Sequence, residues 1–214
     1  MMKTILLAAG CLAGLTLLAG CATLSREQCL QGDWHGIGLA DGQQGRTLDR
    51  LDDHRRACRD TPAIVDEAAY QAGREVGLLS YCTPVSGYQV AANGRGYNSV
   101  CPVTSEPDFL AGYVLGEQVR RARGDFDSAV SRVDRLAGEL ESNQDELNSV
   151  IGQIANAGEG TDIASLRSRL NELRRDSRRL RDDLRGARYS VESASDRLQE
   201  VEARTSLQLQ ALQS

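Results

Sequence analysis

Apolar residues recur at alternating intervals of three and four along two stretches of this 214-residue chain. The first stretch reads Phe126, Val130, Val133, Ala137, Leu140, Gln144, Leu147, Ile151 and Ile154. The second reads Ile163, Leu166, Leu170, Leu173, Ser177, Leu180, Leu184, Ala187 and Val191, and continues through Ala194, Leu198 and Val201. A period averaging 3.5 residues over several heptads gives each helix one apolar seam that must be covered by a partner. Between the stretches, Asn156-Ala157-Gly158-Glu159-Gly160-Thr161-Asp162 carries two glycines and a capping residue, which break a helix. If the chain reverses at Gly158 and Glu159, residues equidistant from that point face each other from Ile154–Ile163 down to Phe126–Val191. Large side chains then meet small ones: Leu180 with Ala137, Val130 with Ala187, Leu140 with Ser177. This favours an intramolecular antiparallel hairpin over a parallel dimer, with two hairpins joined into a bundle as the open alternative. Arms of about 50 residues rise roughly 75 Å.

The formal charge is −5 and Lys3 is the only lysine. An acidic chain argues against nucleic acid as a partner. Residues 174–183 form a basic run rich in Arg that could touch phosphate groups. The expectation, however, is a solvated flank paired with the acidic arm opposite (Glu139, Glu141, Asp145, Glu146) and with Asp182 and Asp183 in its own helix. Aromatic residues are only 4%, which suits slender helical packing better than a large core.

The chain starts Met1-Met2-Lys3 and runs through an apolar stretch to Leu18-Ala19-Gly20-Cys21. The stretch suits a signal h-region and is too short and too rich in small residues for a good membrane span. Small residues followed at once by Cys resemble the lipobox of bacterial lipoproteins; Ala8-Ala9-Gly10-Cys11 resembles one too, after too short an apolar run. The resemblance implies removal of residues 1–20, lipidation of Cys21 (the palmitate-bearing residue) and, because Ala22 rather than Asp follows, an outer-membrane address; a periplasmic orientation is expected, with surface exposure as the open alternative. Several acyl chains anchor stably where one does not.

Four cysteines remain, an even number suited to disulfides in an oxidising compartment. Residues 25–42 and 46–59 both read as helical about Gln43-Gln44-Gly45, which places Cys29 opposite Cys58. Cys82 and Cys101 flank Asn93-Gly94. The expected bridges are Cys29–Cys58 and Cys82–Cys101. The same hairpin brings together Cys29, His35, His54 and Cys58, a tetrahedral zinc set by residue type, although thiolate ligation needs reduced cysteines. The disulfide reading is preferred over zinc, so no metal and no cofactor beyond the lipid on Cys21 is expected. Pro62, after Thr61, reads as a helix start whose apolar face is Ile64, Val65, Ala68, Ala69, Ala72, Val76 and Leu79. Residues 84–101 read as a small β-hairpin or ordered loop. Tyr70-x2-Gly73-x2-Val76 echoes Tyr113-x2-Gly116-x2-Val119, read as glycines allowing close helix packing. The glycines around Asp33-Trp34-His35-Gly36 lack the strand and Lys of a phosphate loop. A triad drawn from Ser25, His35 or His54, and Asp33 lacks a nucleophile elbow. No catalytic residue is assigned.

The segments Leu24-Ser25-x2-Gln28-Cys29-x2-Gly32-Asp33-Trp34, Ile37-Gly38-x2-Asp41-Gly42-x2-Gly45 and His54-Arg55-x2-Cys58 resemble an uncharacterised family of Gram-negative envelope lipoproteins, the domain of unknown function 2799. The likeness continues through Tyr70-x2-Gly73-Arg74-x2-Gly77-Leu78-x2-Tyr81-Cys82-Thr83-Pro84 to Val100-Cys101-Pro102. It spans roughly residues 22–120 and implies no established activity. The expected architecture is mainly α: a signal at 1–20, a disulfide-stapled helical head at 21–106, and an antiparallel coiled-coil hairpin at 107–214 turning at 156–162. The expected role is a non-enzymatic outer-membrane lipoprotein that binds, tethers or scaffolds through the hairpin, with the tip around Glu159 as its interaction site. Its partner would be an envelope protein or a second copy. The alternatives are a metal- or ligand-binding head with the coiled coil as spacer, or an adaptor of an envelope export assembly.

Overall fold

Capping side chains decide where most helices of the head begin. The computed structural model describes residues 23–213, and among them are seven helices and no strand. Cys11, Cys21 and the expected cleavage site lie outside the described residues. Helix α1 (Arg26–Gln31) starts in a capping box: Ser25 Oγ accepts from Gln28 N at 3.2 Å and Gln28 Oε1 accepts from Ser25 N at 2.8 Å. The single helix expected over 25–42 is broken after one turn. Gly32 adopts φ 65°, and the Asp33 carboxylate accepts from Gly36 N at 2.9 Å, starting α2 (Trp34–Gln43) in a new direction. Helix α3 covers Arg50–Cys58, shorter than the expected 46–59.

Two further starts differ from expectation. Helix α4 (Glu67–Tyr81) begins at Asp66, whose side chain accepts from Ala69 N at 2.9 Å, and not at Pro62. Residues 61–66 instead bring the Ile64 carbonyl to the Trp34 indole N–H at 3.0 Å. Much of the expected apolar face turns outward, Ile64 being 89% exposed and Leu79 72%, while Val65 and Ala69 pack against the first core. The buried face of α4 is Tyr70, Gly73, Arg74, Gly77, Leu78 and Tyr81. Residues 84–92 form α5 (Pro84–Ala92) rather than a β-hairpin. Thr83 caps it and Pro84 supplies the preset φ of a first turn, and these two signals outweigh the scattered β-formers.

Glycine makes the head. Helices α2 and α4 run parallel with their backbones touching. A Cβ on Gly38 or Gly42 would strike the carbonyls of Tyr70 and Arg74, and one on Gly73 or Gly77 those of His35 and Leu39. Helix α5 meets the start of α6 (Glu106–Ala155) in the same way. Gly87 lies on the Phe109 carbonyl, and Gly112 and Gly116 on those of Pro84 and Tyr88. The two pairs are internal repeats, with Tyr70 and Phe109, both fully buried, in equivalent places. The repeat noticed in the sequence is real but shifted by one turn: Gly73 corresponds to Gly112, not to Gly116. Each repeat holds a disulfide, Cys29–Cys58 and Cys82–Cys101, beside a small core. One core joins Leu24, Trp34, Leu51 and Tyr70; the other joins Leu78, Tyr81, Val90 and Phe109.

Helix α6 leaves the second core without interruption and packs along α7 (Ile163–Ala211) as a hairpin. The seam of α7 is as the heptads predict, with Leu173, Ser177, Leu180, Leu184, Ala187 and Ala194 buried. On α6 the shared positions Val133, Leu140, Leu147 and Ile154 hold, but the alternate ones shift by one residue. Leu136, Asn143 and Val150 are buried where Ala137, Gln144 and Ile151 were expected. Spacings of three-then-four and four-then-three fit one heptad repeat equally well, and burying Leu136 in place of Ala137 removes more apolar surface from water.

Candidate functional site

A chain of buried polar groups joins the first described residues to the core of the head. His54, 2% exposed, lies between Thr23 and Asp41. Its Nε2 is 2.7 Å from Asp41 Oδ2, and its Nδ1 is 2.6 Å from Thr23 Oγ1. The carboxylate can only accept, so Nε2 carries the proton, and in the neutral ring Nδ1 accepts from the Thr23 hydroxyl. Tyr70 donates its phenolic proton to the same Asp41 oxygen at 2.8 Å. Burial alone would push the Asp41 carboxyl up, but the hydrogen bonds from His54 and Tyr70, with the charge of Arg50, hold it below the usual range. Burial first, then the hydrogen bond to Asp41 and its charge, push the Tyr70 phenol well above its ordinary value.

A cleft of about 410 Å³ opens over this network, bordered by Thr23, Gln28, Gln31, Ile37, Gln44 and Arg50. Asp41 takes both hydrogen bonds on Oδ2, and Asp41 and His54 both line the cleft. Nothing in the local sequence except position marks Asp41 as buried: it stands seven residues after Trp34, two turns along the same face of α2. Thr23 carried no signal at all.

The residues singled out from sequence are distributed differently. Cys29 and Cys58 are joined in a disulfide, and His35 is exposed while His54 is spoken for by Asp41 and Thr23. The zinc set is therefore not assembled, because its sulfurs are oxidised and only one of its two imidazoles is buried; no group of three or more metal-ligating side chains occurs among the described residues. Ser25 and Asp33 cap α1 and α2, so the triad considered above is not assembled either. Glu159 is exposed in the turn between α6 and α7, with Gly160 at φ 87° and Asp162 capping α7 through Ser165 N at 3.0 Å.

The charged flanks also differ from expectation. The basic run does not pair broadly with the opposite arm: Asp176 takes Arg179 at 3.2 Å, Asp182 takes Arg185 at 2.5 Å, and Glu139 is held by Arg135 of its own helix. Arg169 to Glu146, at 2.6 Å, crosses between the arms near the tip. Helical neighbours are always within reach, whereas cross-arm partners must fall at matching flank positions.

Residues 33–118 match the family described as Protein of unknown function (DUF2799). The match runs from the cap of α2 through the glycine contacts of α6, so the DUF2799 region contains both helix pairs, His54, Asp41 and Tyr70, and stops where α6 leaves the head. The hairpin beyond it lies outside the match. No curated protein and no solved structure matches the chain.

Proposed function

We propose that the chain is a lipid-anchored envelope protein of the outer membrane, facing the periplasm, in which the DUF2799 head is a mounting and the hairpin a non-enzymatic binding or tethering arm. The observation that carries this reading is the continuity of α6. One helix of 50 residues belongs to the core of the head at Phe109 and Tyr113 and to the hairpin at Leu136 and Leu147. A helix without a break transmits position over roughly 75 Å, which a flexible spacer cannot do. The lipobox ending at Cys21 supports the anchor. Thr23 bonds to His54 and Leu24 is buried in the head, so the folded domain lies within two residues of a lipidated Cys21. No described helix is long and apolar enough to cross a membrane.

Photo-cross-linking in living cells from a probe at Glu159 tests the arm. A discrete protein adduct is expected; a normally expressed protein that gives none overturns the tip as the contact. A second reading, a ligand-binding head, is favoured by the cleft over Asp41. In a deletion strain, Gln31→Ala with Gln44→Ala would then abolish complementation while a chain with a changed tip sequence would not.

A further inference from the structure

The two sides of the hairpin are charged in different ways. In an antiparallel pair, residues just before each seam position point to one side on both helices, and residues just after point to the other. On the first side the charges interlock: Arg135 with Glu139, Arg169 with Glu146 and Glu172, Arg179 with Asp176. On the second side α7 presents an unbroken ridge of exposed arginines, Arg174, Arg178, Arg181, Arg185 and Arg188. Only Arg185 has an ion pair, within its own helix. The α6 half of that side carries Asp134 and Glu141, both exposed and without an ion pair, with Ala137, Gln144 and a 47% exposed Ile151. Toward the head this side closes with a cross-arm pair, Arg123–Glu202 at 2.8 Å. Between Arg188 and the tip the face is split lengthwise into a basic half and an acidic, neutral-floored half.

We propose that this split face is an isologous interface with a second copy of the chain, the two hairpins lying side by side and pointing the same way. A two-fold axis along the hairpin sets α7 of each copy over α6 of the other. Arg178 and Glu141, like Arg185 and Asp134, lie at nearly equal distances from the turn, within two residues or about 3 Å of helix rise. The axis therefore brings Arg178 to Glu141 of the second copy and Arg185 to its Asp134. An axis across the hairpin would stack arginine on arginine, so the charge pattern itself selects the parallel arrangement. Two copies anchored at one membrane also point the same way, and confinement there raises their effective concentration. Exposed ion pairs are screened by salt, so the contact weakens as ionic strength rises.

The inference rests on the proposed reading of the hairpin as the working part only in naming its partner. It is measured on the mature chain without lipid (Cys21→Ser), where failure of the anchor or tip readings does not reach it. Sedimentation velocity is expected to show a dimer at low salt that dissociates at high salt. Arg178→Glu with Arg185→Glu gives monomers of unchanged helicity by circular dichroism, as does Asp134→Arg with Glu141→Arg. The four changes together restore the dimer. A wild-type chain that stays monomeric at every concentration and salt overturns the proposal, as does a dimer indifferent to both reversals or a fourfold variant that stays monomeric. A monomer that binds phosphatidylglycerol vesicles through the same arginines would overturn it in favour of a lipid-phosphate surface.

Discussion

The head and the hairpin are both helical, yet they hold helices together in opposite ways. In the head, small residues bring backbones into contact, and Gly38, Gly42, Gly73, Gly77, Gly87, Gly112 and Gly116 each sit where a Cβ would strike a neighbouring helix. In the hairpin, side chains interdigitate and the backbones stay apart, so Gly124, Gly138, Gly152 and Gly186 have nothing within 4 Å of where a Cβ would be. The same residue type is a requirement in one region and a cost in the other, since a helical glycine loses about 0.5–1 kcal/mol relative to alanine. Contact through backbones fixes two helices closely but yields little apolar burial, and the head adds two disulfides and a buried polar network. The hairpin has neither and relies on length.

The sharpest break of that comparison is Gly73→Ala. Its methyl group would meet the His35 carbonyl, a backbone atom that cannot rotate away. A loss of about 4 kcal/mol or more is expected, read as a head that no longer melts cooperatively while the helical signal of the hairpin persists. Next is loss of the bridge spanning 29 residues. Replacing Cys29 and Cys58 by Ala is expected to cost about 3–4 kcal/mol through the unfolded chain's regained freedom, so reductant should lower the melting point of the head and leave the hairpin's nearly unchanged.

Asp41→Ala follows at about 3 kcal/mol, because it strands His54 and Tyr70 in the core. The network also gives the head a pH signature. The folded carboxyl of Asp41 lies below its unfolded value, so its contribution is complete above about pH 4, the ordinary Asp range, and is lost as pH falls through the lower folded value. The raised phenol of Tyr70 works at the other end: its contribution is complete below about pH 10 and is lost as pH rises through the higher folded value. The acid limb of a melting-temperature profile should flatten in Asp41→Ala; an unchanged limb would show that other carboxylates set it.

How legible each region was in the sequence follows from the same difference. Heptads are periodic over many turns, so the hairpin, its turn and the whole α7 seam could be read, and only the phase of α6 at Leu136, Asn143 and Val150 could not, because both phases satisfy the period. The head has short helices whose buried face is glycine, and glycine carries no hydrophobic signal. The eye is drawn instead to Ile64, Val76 and Leu79, which face outward. Cysteine spacing about two turns, by contrast, reported the pairs found in the structure. Of the polar cluster, His54 stood in the alternative zinc set, Asp41 stood only in the segments that carry the family resemblance, and Thr23 carried no signal, because nothing local distinguishes a buried carboxylate or hydroxyl from a solvated one.

Two smaller changes sharpen the comparison from the hairpin side. Asn143 and Ser177 sit in the seam, and neither Asn143 Oδ1 nor Ser177 Oγ has a hydrogen-bond partner. A buried acceptor left unpaired costs about 1–3 kcal/mol, so Asn143→Leu is expected to raise hairpin stability by about 1–2 kcal/mol, visible as a higher second melting transition.

Gly138→Ala is the smallest and the most discriminating. Gly138 lies in mid-helix on α6, exposed, with open space around its missing Cβ. Alanine there restricts the unfolded chain and adds no clash, for a gain of about 0.5–1 kcal/mol. The identical exchange at Gly73 is expected to destroy the head, so the sign of the effect reverses between two glycines in helices of one protein. If Gly138→Ala instead lowered hairpin stability, something would have to approach that backbone closely. In solution the available candidate is a second chain, and the loss would then grow with protein concentration. The solvent-exposed glycine is thus a stability control at high dilution and a probe of association at high concentration.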